Sequence, residues 1–197
     1  MASARDEELA LLFRDARTHN VWLDQPVSDD LLRQVYDLAR MGPTGGNANP
    51  LRVGFVKSAE AKARLLASVA PQNVDKVRTA PVTAILAYDR DYHERLLQLF
   101  PSRPEFYERF SQMPVERRNR VGEQSALLAA GYFVIAARAV GLDVGPIGGF
   151  DAGAVDAAFF PEGGWRSMLL VNLGYGDASR LYPRNPRLSF DEACRII

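Results

Sequence analysis

The residues in this chain best suited to chemistry are cations, amides and glycines rather than nucleophiles. Arg17-Thr18-His19-Asn20 gathers a cation, a hydroxyl and an amide within four residues, and Arg184 and Arg187 flank Pro186 near the other end. Fixed guanidinium groups, with exposed backbone N–H groups, hold an anionic ligand such as a phosphate. Pro43-Thr44-Gly45-Gly46-Asn47-Ala48-Asn49-Pro50 can present amides and backbone N–H groups to a flat polar ring. Gly145-Pro146-Ile147-Gly148-Gly149 lets a ring or another backbone approach where Cβ atoms are missing. On spacing alone each has a plainer reading that stays open. Arg17 suits the negative end of a helix, Arg184 and Arg187 suit a solvated loop, and the Asn/Gly loop suits a helix-to-strand connection.

Other chemistries lack material. Neither G-x-G-x-x-G nor G-x-x-x-x-G-K followed by Ser or Thr occurs, and Gly174-Tyr175-Gly176 lacks the third glycine. His19 and His93 stand outside any nucleophile or metal motif, so no side-chain catalyst and no metal site is expected. The single cysteine, Cys194, forms no internal disulfide, which suits a cytoplasmic chain, and its neighbours Ala193 and Ile196 suggest a small buried hydrophobe. Twenty-four Lys and Arg balance 24 Asp and Glu, which argues against broad binding to nucleic acid or to an acidic membrane. The cluster Arg117, Arg118, Arg120 with Glu116 and Glu123 reads as a charged helix face.

These groups need elements to position them. The 197 residues, 47% hydrophobic, can bury a sizeable core, and without an internal repeat or linker they read as one domain over 1–197. Leu9, Leu12, Phe13 and Ala16 mark a first amphipathic helix. Ser28 caps a second with Leu31, Val35, Leu38 and Ala39 on one face, and Ser58 opens a third. Leu51 to Lys57, Pro81 to Tyr88 and Ser167 to Leu173 read as strands, and Leu142 to Phe150 as a glycine-rich crossing segment. Residues 91–113, broken by Pro101 and Pro104, read as short helices forming a lid. Pro114 begins a long helix closed by Gly141, whose half from Ala126 to Ala139 is apolar nearly all round. Such a helix is buried most easily if a partner subunit covers one side. Asp151 caps a short helix to Phe159, and Ser189-Phe190-Asp191-Glu192 is a capping box before a terminal helix. The start carries charge where an export signal needs an apolar run, and no stretch reaches the roughly 20 residues of a membrane span. The fold class is α+β, and irregular alternation of strands and helices disfavours a doubly wound sheet.

In this order and at these separations, the pieces resemble the nitroreductase family of FMN-dependent NAD(P)H oxidoreductases. The similar branch is that of malonic semialdehyde reductases of uracil breakdown and related NADH dehydrogenase/nitroreductases. The likeness rests on Asp15 to Asn20, Gly42-Pro43-Thr44 with Asn47 to Pro50, Thr79 to Ala84, Ala139 to Asp151, Asn172 to Asp177, and Pro186 to Phe190. It implies a nitroreductase-like fold, a central mostly antiparallel sheet flanked by helices, and a domain-entwined homodimer with two FMN sites at its interface. It further implies that Arg17, Thr18, His19 and Asn20 hold phosphate and ribityl, with Asn20 where relatives carry a second cation. Arg184 and Arg187 complete the phosphate site; Pro43, Thr44 and Asn47 support the ring; Asn73 and Lys76 meet its edge. Gly148 and Gly149 lie beside the reactive nitrogen, with Gly148 where many relatives carry Glu.

The implied mechanism is ping-pong hydride transfer. NADH or NADPH reduces FMN and leaves, and a small-molecule acceptor then takes the hydride from the same face. Malonic semialdehyde, reduced to 3-hydroxypropionate, is the expected acceptor, with nitro compounds or quinones as the alternative and Arg103 of the lid as a cation for the aldehyde's carboxylate. Lys76 would stabilise charge at the ring edge. A flavin-binding protein without turnover, and an interaction module without cofactor, are the competing classes.

Overall fold

The computed structural model describes residues 3–197. Four strands form one antiparallel sheet in the order β1-β2-β4-β3, with β1 Leu51–Val56, β2 Val82–Asp89, β3 Asp143–Ile147 and β4 Trp165–Gly174. Side chains alternate across a pleated strand. Val82, Ala84 and Leu86 of β2 therefore face one core, and Ile85 between them faces the other.

Nine short and long helices, α1 Ala4–Leu9, α2 Asp29–Ala39, α3 Ala59–Leu66, α4 Val74–Thr79, α5 Leu96–Leu99, α6 Glu105–Ser111, α7 Val115–Ala139, α8 Ala152–Phe159 and α9 Phe190–Ala193, accompany the sheet among the described residues. The first core packs Val35 and Ala39 of α2 and Ala129, Phe133 and Ala137 of α7 on one face of the sheet. The second packs Leu65 of α3 and Val155 of α8 on the other. Burying side chains the size of Val35, Phe133, Leu65 and Val155 contributes about 1.5–3 kcal/mol each, so the sheet between two helical layers is the rigid frame. This is the α+β, antiparallel, helix-flanked arrangement expected from the sequence.

The helix starts follow local chemistry. Ser28 Oγ accepts from the N–H of Leu31 at 3.2 Å, Ser58 Oγ from Ala61 at 3.1 Å and Asp151 Oδ1 from Ala154 at 3.0 Å. Each such cap is worth about 1 kcal/mol. The long helix α7 follows Pro114 and ends before Gly141, whose φ is 84°. Residues 91–113 form short helices, a 3₁₀ turn at Tyr92–Arg95 followed by α5 and α6, as expected. Their buried Tyr92, Leu96 and Phe110 make a third small core with Ala48.

Several expectations are corrected. The segment around Gly145 is not a crossing loop but strand β3, paired with β4. Pro146 masked it, and is tolerated because β3 is an edge strand that leaves one side without a ladder. In α2 the buried face uses Leu32, while Leu38 is exposed. The first helix continues as a π-helical turn, Ala10–Arg14, that exposes Leu9 and Phe13. The second half of α7 is buried on one side only, since Leu127, Leu128 and Tyr132 are exposed on this single chain. The terminal helix is one turn long, and Cys194 lies exposed beyond it. The Arg117–Arg120 face forms no ion pair among the described residues, and Arg118 turns inward with Nη1 on the Phe110 carbonyl at 3.5 Å. Among the described residues no helix is long and apolar enough to cross a membrane.

Candidate functional site

The two ends of the chain meet over the end of α7. Residues 16–20 leave the first helix and cross β3: Thr18 pairs with Val144 in a parallel bridge, and the N–H of His19 donates to the Val144 carbonyl at 3.0 Å. That crossing puts Arg17, Thr18 and Asn20 on the wall of a cavity of about 450 Å³, opposite Arg184 and Arg187 of the late loop. The loop is tied down by its own cations. Arg184 Nη2 donates to the carbonyl of Ala16 at 3.0 Å, Arg17 Nη2 to that of Tyr182, and Arg187 Nη1 to those of Asn185 and Pro186 at 3.0 Å.

A third direction supplies a cation that sequence reasoning missed. Arg138, in the last turn of α7, lines the same cavity. Burial pushes its guanidinium below the usual strongly basic value; the Asp143 carboxylate opposes this and the Arg184 guanidinium adds to it. The available signal was its setting, one cation between Ala136, Ala137 and Ala139 in the apolar second half of the helix. Among the described residues Arg17, Arg138, Arg184 and Arg187 have only carbonyl partners; the ion pairs formed elsewhere do not include them.

Further along the same crossing lies a second group. Trp22 is buried, and its Nε1 donates to the carbonyl of Lys76 at 3.2 Å. Asn172 Nδ2 donates to that carbonyl at 3.0 Å, while its Oδ1 accepts from Thr83 Oγ1 at 2.7 Å. Held this way, Lys76 directs its Nζ to Asn73 Oδ1 at 3.0 Å, and Asn73 Nδ2 donates to the Gly149 carbonyl at 3.3 Å. A Cβ on Gly149 would stand 2.6 Å from Asn73 Nδ2, so any larger residue there displaces the Asn73 amide from this position. Beside it Gly148 is exposed, with open space where a side chain would be.

His19 is buried rather than exposed. Its Nε2 lies 3.3 Å from Asp143 Oδ1, and its Nδ1 is buried with no hydrogen-bond partner. Asp143 Oδ2 also accepts from the N–H of Gly176 at 2.8 Å, which fixes the crossing segment to the end of β4.

Pro43, Thr44 and Asn47 are not brought to either group within one chain. Their loop sits on the middle of α7, where the N–H of Gly45 donates to Ser125 Oγ at 3.3 Å. Ser125 and Arg138 are separated by about 20 Å of helix axis. The loop is nevertheless shaped: Asn47 and Asn49 adopt left-handed φ of 53° and 44°, Thr44 Oγ1 accepts from the N–H of Asn49 at 3.1 Å, and Asn47 Nδ2 donates to the Leu99 carbonyl at 2.7 Å. Asparagine tolerates that backbone better than other side chains do. Arg103, expected over the site, is engaged by Glu105 and lies 5.1 Å from the Phe106 ring centroid.

Residues 14–175 match the family model described as "Nitroreductase family". Over 192 residues, 98% of this chain and 97% of the relative, the chain is 52% identical to a Rhodopseudomonas palustris (strain TIE-1) protein named "Putative NADH dehydrogenase/NAD(P)H nitroreductase". The fold superposes on a nitroreductase family protein from Streptococcus pneumoniae TIGR4 with a TM-score of 0.82 at 24% identity, covering 94% of this chain and 98% of that one. It also superposes on a "putative nitroreductase in complex with FMN" from Exiguobacterium sibiricum 255-15, with a TM-score of 0.87 at 19% identity over 100% and 99% of the two chains. The chain belongs to the nitroreductase family.

Proposed function

We propose that this protein is an FMN-dependent NAD(P)H oxidoreductase, built as a homodimer with its flavin sites between two copies. The observation that carries the reading is the chain path that starts at a cavity of guanidinium groups without carboxylate partners, runs through residues 17–22, and reaches by the Trp22–Lys76 hydrogen bond the segment holding Lys76 and Asn73 against Gly149. The residues fit such a cofactor. A phosphate dianion matches guanidinium groups without carboxylate partners, and a flat polar ring matches an ammonium, an amide and the open space beside Gly148. FMN in the Exiguobacterium structure and the NAD(P)H nitroreductase name of the Rhodopseudomonas relative support the same cofactor and co-substrate.

FMN held here would supply the redox chemistry, hydride transfer from NADH or NADPH to an acceptor. The protein's part is to bind and orient. Arg17, Arg184 and Arg187 hold the phosphate, with Thr18, Asn20 and the backbone at His19 along the ribityl chain. Asn73 and Lys76 meet the ring edge, where the ammonium stabilises developing negative charge. Gly148 and Gly149 keep the approach to the ring open. Because the loop at Pro43, Thr44 and Asn47 lies away from this path in its own chain, the ring is completed by Pro43 of the partner subunit, Thr44 of the partner subunit and Asn47 of the partner subunit. No side chain needs to form a covalent bond.

The acceptor we propose is malonic semialdehyde, from the branch that the motifs resemble. The relatives' nitroreductase names favour a second reading, reduction of nitro compounds or quinones. Purification tests the core of the proposal. A yellow protein whose visible bands bleach anaerobically with NADH or NADPH supports the oxidoreductase. Yellow protein that does not bleach is a flavin binder, and a colourless chain that takes up no added FMN removes the cofactor altogether. Steady-state rates over an aldehyde, a nitroarene and a quinone then choose the acceptor.

A further inference from the structure

Arg138 is a cation whose surroundings do not satisfy it. Its Nη1 donates to the carbonyl of Leu12 at 3.2 Å, and its Nε is buried with no partner. Among the described residues no carboxylate oxygen lies within 4.0 Å of it. A guanidinium near a helix C-terminus is often explained by the helix dipole. Here the bond goes instead to another element, the π-helical turn before the cavity. Removing a charge from water is costly unless an opposite charge meets it. Arg138 has lost part of its water, stands beside the Arg184 guanidinium, and faces a cavity to which Asn20 brings only a neutral amide.

We infer that Arg138 is a phosphate-binding residue of the cofactor site, the fourth guanidinium around the anion, and that it makes the site select phosphorylated over unphosphorylated flavin. This rests on the flavin reading given above. The anion supplies the missing counter-charge, and the bond to Leu12 holds the side chain in place before the ligand arrives. Preorganisation of this kind lowers the ordering cost of binding.

The test compares two ligands that differ only in the phosphate. Flavin-free wild type, Arg138→Gln and Arg138→Lys are titrated with FMN and with riboflavin, following quenching of flavin fluorescence, with circular dichroism as the check on folding. Arg138→Gln is expected to weaken FMN about tenfold or more, leaving riboflavin affinity within about twofold of wild type. Arg138→Lys, which keeps the charge and loses the planar fork, falls between and covers the case in which the glutamine variant folds poorly. Equal losses for both flavins would make Arg138 a structural residue and overturn the inference. So would unchanged FMN binding in both variants, which leaves the wider flavin reading standing if Arg17→Ala still loses FMN. Wild-type protein that binds neither flavin sinks that reading and the inference with it.

Discussion

The ammonium of Lys76 lies 3.0 Å from Oδ1 of Asn73, and the same amide donates to the Gly149 carbonyl at 3.3 Å. The pair is three residues apart, close to one helical turn, and its geometry is set from behind. Two donors, Trp22 Nε1 and Asn172 Nδ2, converge on the Lys76 carbonyl. A cation fixed in this way stabilises charge at a ring edge without reorganising. Lys76→Met is therefore expected to slow anaerobic reduction of bound FMN by NADH on the order of a hundredfold, and to move the flavin midpoint potential to more negative values. Stopped-flow absorbance and spectroelectrochemistry read the two effects. An unchanged potential places Lys76 away from the ring.

Gly149→Ala attacks the same group from the other side. Its new Cβ would stand 2.6 Å from Asn73 Nδ2, so Asn73 has to move and Lys76 loses its acceptor. The damage is at the ring end of the site. FMN and riboflavin are expected to weaken by the same factor, about tenfold, in fluorescence titrations. A loss confined to FMN contradicts this placement of Gly149.

Much of this was legible because it is local. Caps at Ser28, Ser58 and Asp151 and the apolar strands β2 and β4 depend on neighbours in sequence, and they formed where the residue pattern placed them. Asn73 and Lys76 were found through the family resemblance, and the contact between them follows from i, i+3 spacing. What sequence could not show depends on tertiary neighbours. Pro146 hid β3 because its tolerance rests on an edge position. Arg138 looked like the end of an apolar run because its partner Leu12 and its neighbour Arg184 come from opposite ends of the chain. Burial of His19 against Asp143 has the same origin.

Arg17→Ala tests the phosphate end. Arg17 holds the late loop through the Tyr182 carbonyl and faces the cavity with Arg184 and Arg187. The variant is expected to keep its circular dichroism spectrum and to lose about tenfold to a hundredfold in FMN affinity, as for a hydrogen bond to a charged group. Riboflavin binding changes little. Wild-type FMN affinity in a folded variant removes Arg17 from the site.

Lys62 gives a stability prediction independent of the cofactor. It is buried on α3 with its ammonium on the Ala80 carbonyl, and burial lowers its pKa from 10.5 to about 8. Between pH 8 and 10.5 the unfolded chain binds this proton and the folded chain does not, so the unfolded state binds more protons and stability rises with pH across that window. Below about pH 8 the cost of the buried charge is present in full. Lys62→Met is expected to raise the thermal midpoint at pH 7 and to lose the wild-type gain between pH 8 and 10. The difference between the two proteins in scanning calorimetry at matched pH isolates this group; parallel curves would show that Lys62 does not titrate there.

Leu127, Leu128 and Tyr132 leave an apolar strip on α7 about half exposed, at 48%, 50% and 43%. The strip borders the loop at Pro43, Thr44 and Asn47: Ser125 holds Gly45, and a Cβ on Gly42 would stand 2.6 Å from the Tyr132 ring. A second copy seated on this strip would meet the loop at the same time, which would join assembly to the site. Leu128→Glu places a charge on the strip without touching the inner core, where Ala126, Ala129, Ala130 and Phe133 pack. Light scattering after size exclusion is expected to show the wild type as a dimer and the variant as a monomer. Helical circular dichroism should be retained while FMN binding is lost, because the loop from the second copy is missing. Arg17→Ala is expected to lose FMN by another route, at the phosphate, and to elute at the wild-type size. A folded Leu128→Glu monomer with wild-type FMN affinity would mean that one chain holds the flavin alone, and the distance between the loop and the guanidinium cavity would then have no role in binding.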